Sequence, residues 1–511
     1  MKSSSSFLWE LIHSLSSNER LFFKRNFSRA VPGGHLYIRL FDAISKQQVY
    51  DEKGILLKFS PALTKKNLAS QKHYLQKIIG EAIIQYDSRD NADHDIYNQI
   101  LLIRIYRKKG LLDEALSIWK KAVTRARKTE SFALLNLLKT EFEKMIMLSS
   151  GHTKYDELYS IFKGHIITYN EYVEMVTLRD IYAEVLLLKK KVHFDLDNLL
   201  KKRVSALLKE VNASRYIDTT ESFWYRHYYN MNKATLLYLL NESAEAYSIY
   251  NDTMSSWQSS TSFIESHGEH YIELLNMINN TGILQGKFTY VEECFNSPAN
   301  ELIKDKTQRA NFEVIKYLAL NKIYNKKAQY SVVEKLLDSM RLKYRNWERY
   351  LNNDLNRTVN ISLGISCFVL EQYQDALYYI KRAIAYFKDG TREEQAAISN
   401  ILLLLITYSL DNIKLFDAQY KSTYTYFYKR KKKHPFETAF VQCLNRTFYL
   451  TEASKSEEFR KTLGVFIANK DDLIQQKALN IFNYEGWLQS KIQRIPYRQY
   501  VEARVREVMS I

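Results

Sequence analysis

The sequence predicts an all-α fold: a right-handed α-solenoid of helical hairpins preceded by a small N-terminal helical domain. Three observations predict it. The 511 residues include only 5 Pro and 14 Gly, the two residues that interrupt helices and supply the turns of β-proteins. A chain of this length is too long for one compact core, which leaves several domains or a repeat array. Finally, small and bulky apolar residues recur about every 43 positions, the range of two-helix repeats. A hydrophobic content of 46% separates the chain from disordered sequences.

Residues 1–90 stand outside the repeat. Ser16 and Glu19 form a capping box ahead of a helix through Phe27. Ala30-Val31-Pro32-Gly33-Gly34 reads as a turn, and further helices are expected from about His35 to Gln48, Asp51 to Phe59 and Thr64 to Gln85. The short helix, the Ser60-Pro61-Ala62-Leu63 turn and the long basic helix loosely resemble a helix-turn-helix. In that arrangement Lys65, Lys66, Ser70 and Gln71 are the side chains placed for nucleic-acid contact; otherwise the segment caps the solenoid with its basic face solvated.

The repeat occupies residues 91–470. One segment holds Leu102, Tyr106, Gly110, Leu112, Glu114, Ala115, Trp119 and Ala122; another holds Leu363, Gly364, Cys367, Tyr373, Asp375, Ala376, Ile380 and Ala383. Each sets a small residue on the second helix of a hairpin, a bulky one four later and Ala three after that, all on one helical face. Carried along the chain, the small position falls on Ala115, Leu158, Leu200, Ala246, Val291, Val333, Ala376, Ala418 and Phe459, in steps of 41 to 46 residues. Two further columns support the period: Leu112, Tyr155, Phe288, Tyr330, Tyr373 and Leu415 three residues earlier, and Trp119, Phe162, Val204, Tyr250, Phe295, Leu337, Ile380 and Leu463 four later. Around the third unit, Lys189-Lys190-Lys191 suggests a helix end, and Asp195-Leu196-Asp197 a new N-cap.

The two full segments resemble the tetratricopeptide repeat, with Ile103 where that family has a small residue and without its closing Pro. The period exceeds the family's 34 residues, so longer helices of roughly 16 to 20 residues are expected. Residues 471–511 complete the chain with an apolar helix containing Ile474, Leu479, Ile481, Phe482 and Trp487, then Pro496 and a basic helix through Val508. Such a segment covers the exposed end of the stack.

The net charge is +17, from 74 Lys and Arg against 57 Asp and Glu, which favours acidic partners through long-range fields. The densest run, Lys429-Arg430-Lys431-Lys432-Lys433-His434 before Pro435, reads as a solvated helix end or an anionic-partner patch. The 38 Tyr and 25 Phe suit helix pairs with thin cores, or stacking platforms for bases. Cys294, Cys367 and Cys443 lack the spacing of a disulfide framework or zinc site. The start is a poor signal peptide, and the longest apolar run, Ile401 to Thr407, falls short of the ~18 residues that span a bilayer. The reading is a soluble cytoplasmic protein without membrane insertion, cofactor or metal.

No catalytic constellation is legible. There is no Gly-rich phosphate loop, nucleophile elbow or kinase set. His267, His270 and Glu273 place three metal-ligand types together, but the i, i+6 spacing turns Glu273 away from His267. In tetratricopeptide folds the first helix of each repeat lines the concave surface. That resemblance implies a cationic strip from Arg104, Arg107 and Lys108, and a place for a ligand backbone at Asn276 and Asn280. The Lys that completes the family's clamp is missing, with Ile283 nearby. The sequence therefore predicts a non-enzymatic scaffold that binds a protein or peptide, acidic for preference. The alternative is a regulator whose N-terminal domain binds nucleic acid and whose repeats sense a ligand.

Overall fold

A computed structural model describes residues 4–27, 34–87, 92–148, 168–191, 196–387, 393–430 and 434–509. Among them every regular element is a helix, and none is long and apolar enough to cross a membrane. The Pro32 turn, the unit built on Leu158 with Tyr155 and Phe162, Asp195 and Lys431–Lys433 lie outside the described residues. The chain folds as two compact units, 1–166 and 167–511.

Among its described residues the first unit contains two hydrophobic clusters. Helices Ser4–Ser14, Ser17–Phe27, Gly34–Ser45, Glu52–Phe59 and Leu68–Asp87 enclose Ile12, Phe23, Leu40, Ile44 and Ile79. The capping box forms: the Ser16 backbone N–H donates to Glu19, and the Glu19 N–H donates to the Ser16 hydroxyl. The second cluster is built by Ala92–Lys108, Leu112–Lys128 and Phe132–Leu148, with Trp119 stacked on Phe142 at 4.3 Å.

Six hairpins across the two units share one connection. Their first helices end at Lys108, Leu239, Leu284, Lys326, Val369 and Ser409, and their second helices begin at Leu112, Ser243, Phe288, Tyr330, Tyr373 and Ile413. The middle residue of each three-residue link, Gly110, Asn241, Gly286, Ala328, Glu371 or Asp411, is left-handed. In five of the six, the next backbone N–H reaches back across the turn, as Leu111 does to Tyr106 and Gln372 to Cys367. This is the Schellman closure, which satisfies carbonyls the helix end leaves open. Five residues beyond each left-handed position stand Ala115, Ala246, Val291, Val333, Ala376 and Phe416, all fully buried.

The last of these corrects the register read from sequence. Ala418, the expected small residue, is exposed, whereas Phe416 occupies the equivalent site. Elsewhere the small residue has a steric reason. A Cβ on Gly364 would come within 2.6 Å of Ile380, the bulky residue of the same hairpin.

In the second unit the first helices Phe223–Leu239, Gly268–Leu284, Lys306–Lys326 and Asn353–Val369 pack in succession through the array, the contact pattern of an α-solenoid. Ahead of them, Tyr169–Lys191 is followed by Asn198–Asn212, whose N-cap is Asp197. At the other end Ile474, Phe482, Tyr484 and Trp487 join the core that begins at Ala310. The basic run before Pro435 is not simply a solvated helix end. Arg430 is buried against the equally buried Glu437 at 2.8 Å, and Pro435 opens the next helix.

Candidate functional site

The repeated turn supplies a common ruler for side chains on the first helices. Six residues before the left-handed position stand Arg104, Thr235, Asn280, Lys322, Ile365 and Leu405. The two aliphatic members need no partner. The four polar ones divide sharply.

Arg104 is spent inside its own unit. Its Nε donates to Glu141 Oε1 at 2.8 Å, Arg107 Nη2 lies 3.4 Å from Oε2, and Lys144 approaches at 3.2 Å. Glu141 is fully buried. Burial acts to raise its pKa, but hydrogen bonds from Arg104 and Lys144 outweigh it and hold the carboxyl below its ordinary value. Of the predicted cationic strip, Lys108 alone is fully exposed. Thr235 is also satisfied, 2.8 Å from the Tyr250 hydroxyl.

Asn280 differs. Asn276 and Asn280 are one turn apart on the Gly268–Leu284 helix, both half-buried, and neither side chain makes a hydrogen bond among the described residues. Beside them the Oδ1 of Asn279 is buried without a donor. One turn before Asn276, Glu273 pairs with Lys189, which also approaches Met277 Sδ at 3.1 Å. Ile283, near the place of the missing clamp lysine, is a core residue.

The adjoining first helix carries Lys322 at the position equivalent to Asn280. Lys322 has no ion-pair partner among the described residues, and burial, reinforced by Lys326, pushes its amine down to about 8. Lys326 is lowered as well, by burial. Sequence reasoning missed Lys322 because one lysine among 74 basic residues carries no mark. The signal was its distance from a turn at Ala328, which is not a glycine.

The N-terminal residues are partly separated by the structure. Lys65 and Lys66 are exposed in the turn before Leu68–Asp87, and Ser70 is exposed with its hydroxyl donating to the Asn67 carbonyl at 2.8 Å. Gln71 is half-buried with its carbonyl oxygen enclosed and unpartnered, an inward placement. Lys72, one residue on, is held by Glu52 and Tyr50 at 2.8 and 2.9 Å.

The histidines of the Gly268–Leu284 region form a structural network. The Trp257 indole N–H donates to His227 Nδ1 at 3.2 Å. That fixes the proton of His227 on Nε2, which faces His270 Nδ1 at 3.3 Å. Burial pushes His270 down to about 4 and holds the buried His227 well below its ordinary value, so both are neutral near pH 7. No group of three His, Cys, Asp or Glu side chains suited to a metal occurs among the described residues. A cavity of about 380 Å³ adjoins the network, lined by Glu221, Phe223, Arg226, His227, Asn230 and Trp257 among others.

No family model matches the chain, and no curated protein does. Solved structures similar to it include the following. A Rap protein complexed with competence and sporulation factor has 12% identity and a TM-score of 0.43, over 78% of this chain and 98% of its own. The apo quorum sensor NprR from B. thuringiensis has 13% and 0.42, over 79% and 99%. NprR in complex with its cognate peptide NprX has 14% and 0.36, over 79% and 98%. The fold assignment rests on this chain's own hairpins.

Proposed function

We propose that the second unit is a non-enzymatic receptor that captures an extended peptide on the first helices Gly268–Leu284 and Lys306–Lys326. The observation that carries this reading is a set of unspent polar groups on adjoining first helices: the Asn276 and Asn280 amides, and the Lys322 amine at the position equivalent to Asn280. A side-chain amide offers both a donor and an acceptor, matching the two groups of a peptide bond. Enclosed polar groups without partners are costly, at about 1–3 kcal/mol each when fully buried. An arriving peptide backbone removes that cost. Lys322 then pairs with a carboxylate, either the peptide's terminus or an acidic side chain, which agrees with the preference for acidic partners. The three cysteines are buried free thiols, which suits capture in the reducing cytoplasm.

The direct test is affinity selection of a random hexapeptide pool on the full chain, followed by titration of the enriched peptides. Asn276→Ala with Asn280→Ala should weaken binding about 10- to 100-fold, as expected for two hydrogen bonds of about 1 kcal/mol or more each. A paired carboxylate raises the pKa of Lys322, so affinity should fall by up to tenfold per pH unit as pH rises through about 8. Enriched peptides that bind the double variant and the wild type equally would remove this site from consideration.

A second reading keeps Lys65 and Lys66 as phosphate contacts, because both are exposed and neither has an ion-pair partner among the described residues. There, a salt-dependent shift of random duplex DNA disappears on Lys65→Glu with Lys66→Glu. An unchanged shift would leave these lysines as a solvated cap. Ser70 remains open to backbone contact through its exposed hydroxyl, whereas Gln71 must first rotate outward.

A further inference from the structure

The cavity beside the His227 network is built by the hairpin of Phe223–Leu239 and Ser243–Ser259. It takes no group from the peptide surface proposed above. Its apolar wall is fixed from behind. His227 and Trp257 are buried and joined by their hydrogen bond, and Phe223 is stacked on Phe263 with centroids 3.9 Å apart.

Two opposite charges line this cavity without meeting. Glu221 and Arg226 both contribute to its wall, and neither has an ion-pair partner among the described residues. Arg226 is nevertheless held in place. Its Nε and Nη2 donate to the Thr220 carbonyl, and buried Thr220 donates its own hydroxyl to Glu171. Nη1 makes no hydrogen bond among the described residues, so one end of the guanidinium is positioned and unspent. The serines of the wall offer the complementary group. Ser255, Ser256 and Ser259 each donate the hydroxyl proton to the carbonyl four residues back in their own helix. What each has left is an oxygen that accepts.

We propose that this cavity binds a free α-amino acid with an apolar side chain. The ammonium group donates to the Glu221 carboxylate and to the serine oxygens, the carboxylate accepts from Nη1 of Arg226, and the side chain lies against Phe223 and Trp257. Simpler ligands fit only part of the wall. An anion alone is repelled by Glu221, and a cation alone by Arg226. An uncharged apolar molecule strips water from both charges and returns no hydrogen bond. A zwitterion matches both, because its two charges are adjacent and of opposite sign. The volume agrees. About 380 Å³ lies at the lower end of the about 300–1,000 Å³ of small-molecule sites. It equals roughly a dozen waters at about 30 Å³ each, room for one amino acid with its side chain.

The test is isothermal titration of the full chain with L-leucine and with L-phenylalanine. At least one should bind. The ligand itself then supplies the first controls, which need no variant to fold. Leucine methyl ester lacks the carboxylate that Arg226 holds, and N-acetyl-leucine lacks the ammonium that Glu221 holds; the corresponding forms of phenylalanine serve if that is the amino acid bound. Each should bind at least tenfold more weakly than the free amino acid, the loss of a charge-assisted hydrogen bond. Glu221→Gln changes one exposed side chain and leaves the core intact. It should weaken the free amino acid by about three- to tenfold, a smaller effect because the carboxylate faces solvent, and leave the N-acetyl form unchanged. The proposal is overturned by any of three results: no binding of either amino acid below about 10 mM, an ester or N-acetyl form that binds as tightly as the free amino acid, or wild-type affinity for the free amino acid in Glu221→Gln.

Discussion

Arg104 and Lys322 occupy the same step of the repeat, six residues before a left-handed turn, yet they do opposite things. Arg104 donates to the buried carboxylate of Glu141 and is joined there by Arg107. Lys322 has no counter-charge among the described residues, and its burial lowers its pKa to about 8. A cation in the right place on the right helix is therefore weak evidence of a ligand site. Whether the protein itself already neutralises that cation is the more informative question. In the first unit the ion pair holds two helices together. In the second no described side chain neutralises the charge.

The largest effect that tests this contrast is on the first unit. Arg104→Met with Arg107→Met keeps the side-chain volume and leaves Glu141 buried with Lys144 alone. Breaking a buried ion pair costs about 3–5 kcal/mol. The low end, about 3 kcal/mol, is expected here because Arg104 is 41% exposed and Lys144 remains. Hydrogen exchange should show the loss in the helices Ala92–Lys108 and Phe132–Leu148. Unchanged protection there would mean that the arginines were available to a ligand after all, and the contrast would collapse.

How much of this was legible follows from the turns. Gly110 and Gly286 advertise a left-handed backbone, and Asn241 and Asp411 belong to the residue types that tolerate it. Ala328 and Glu371 do not, and they adopt it because the Schellman hydrogen bonds offset a modest steric cost. Apolar periodicity found Ala115, Ala246, Val291, Val333 and Ala376. It slipped by two at Ala418, because a small residue lay near the expected step while the last link came early, at Asp411. The same blindness hid Lys322. Arg104, Arg107, Asn276 and Asn280 were visible as types at helical spacing, but their hydrogen bonding was not. Glu141 lies 37 residues from Arg104, and no local pattern joins them. Nor does a charge count separate Arg430, buried against Glu437, from the exposed Lys429 beside it.

The smaller effect has the opposite sign. If Lys322 is kept for a ligand, it burdens the empty protein, and replacing it should stabilise the fold. A lysine whose folded pKa is lowered from 10.5 to about 8 binds its proton less tightly in the native state than in the unfolded chain. Its cost is fully present below pH 8 and vanishes as pH rises toward 10.5, so wild-type stability should climb across that interval. Lys322→Met removes the charge and keeps the aliphatic stem. At 1.36 kcal/mol per unit of pKa, with allowance for partial solvation, the gain near pH 7 should be roughly 1–3 kcal/mol. Urea midpoints for the second unit at pH 7 and pH 10 give the measure. The Met variant should be the more stable at pH 7, the difference should shrink at pH 10, and peptide capture should be lost at both. A variant less stable than wild type at pH 7 would show that Lys322 already has a partner in the folded chain, and the two units would then differ only in where that partner sits.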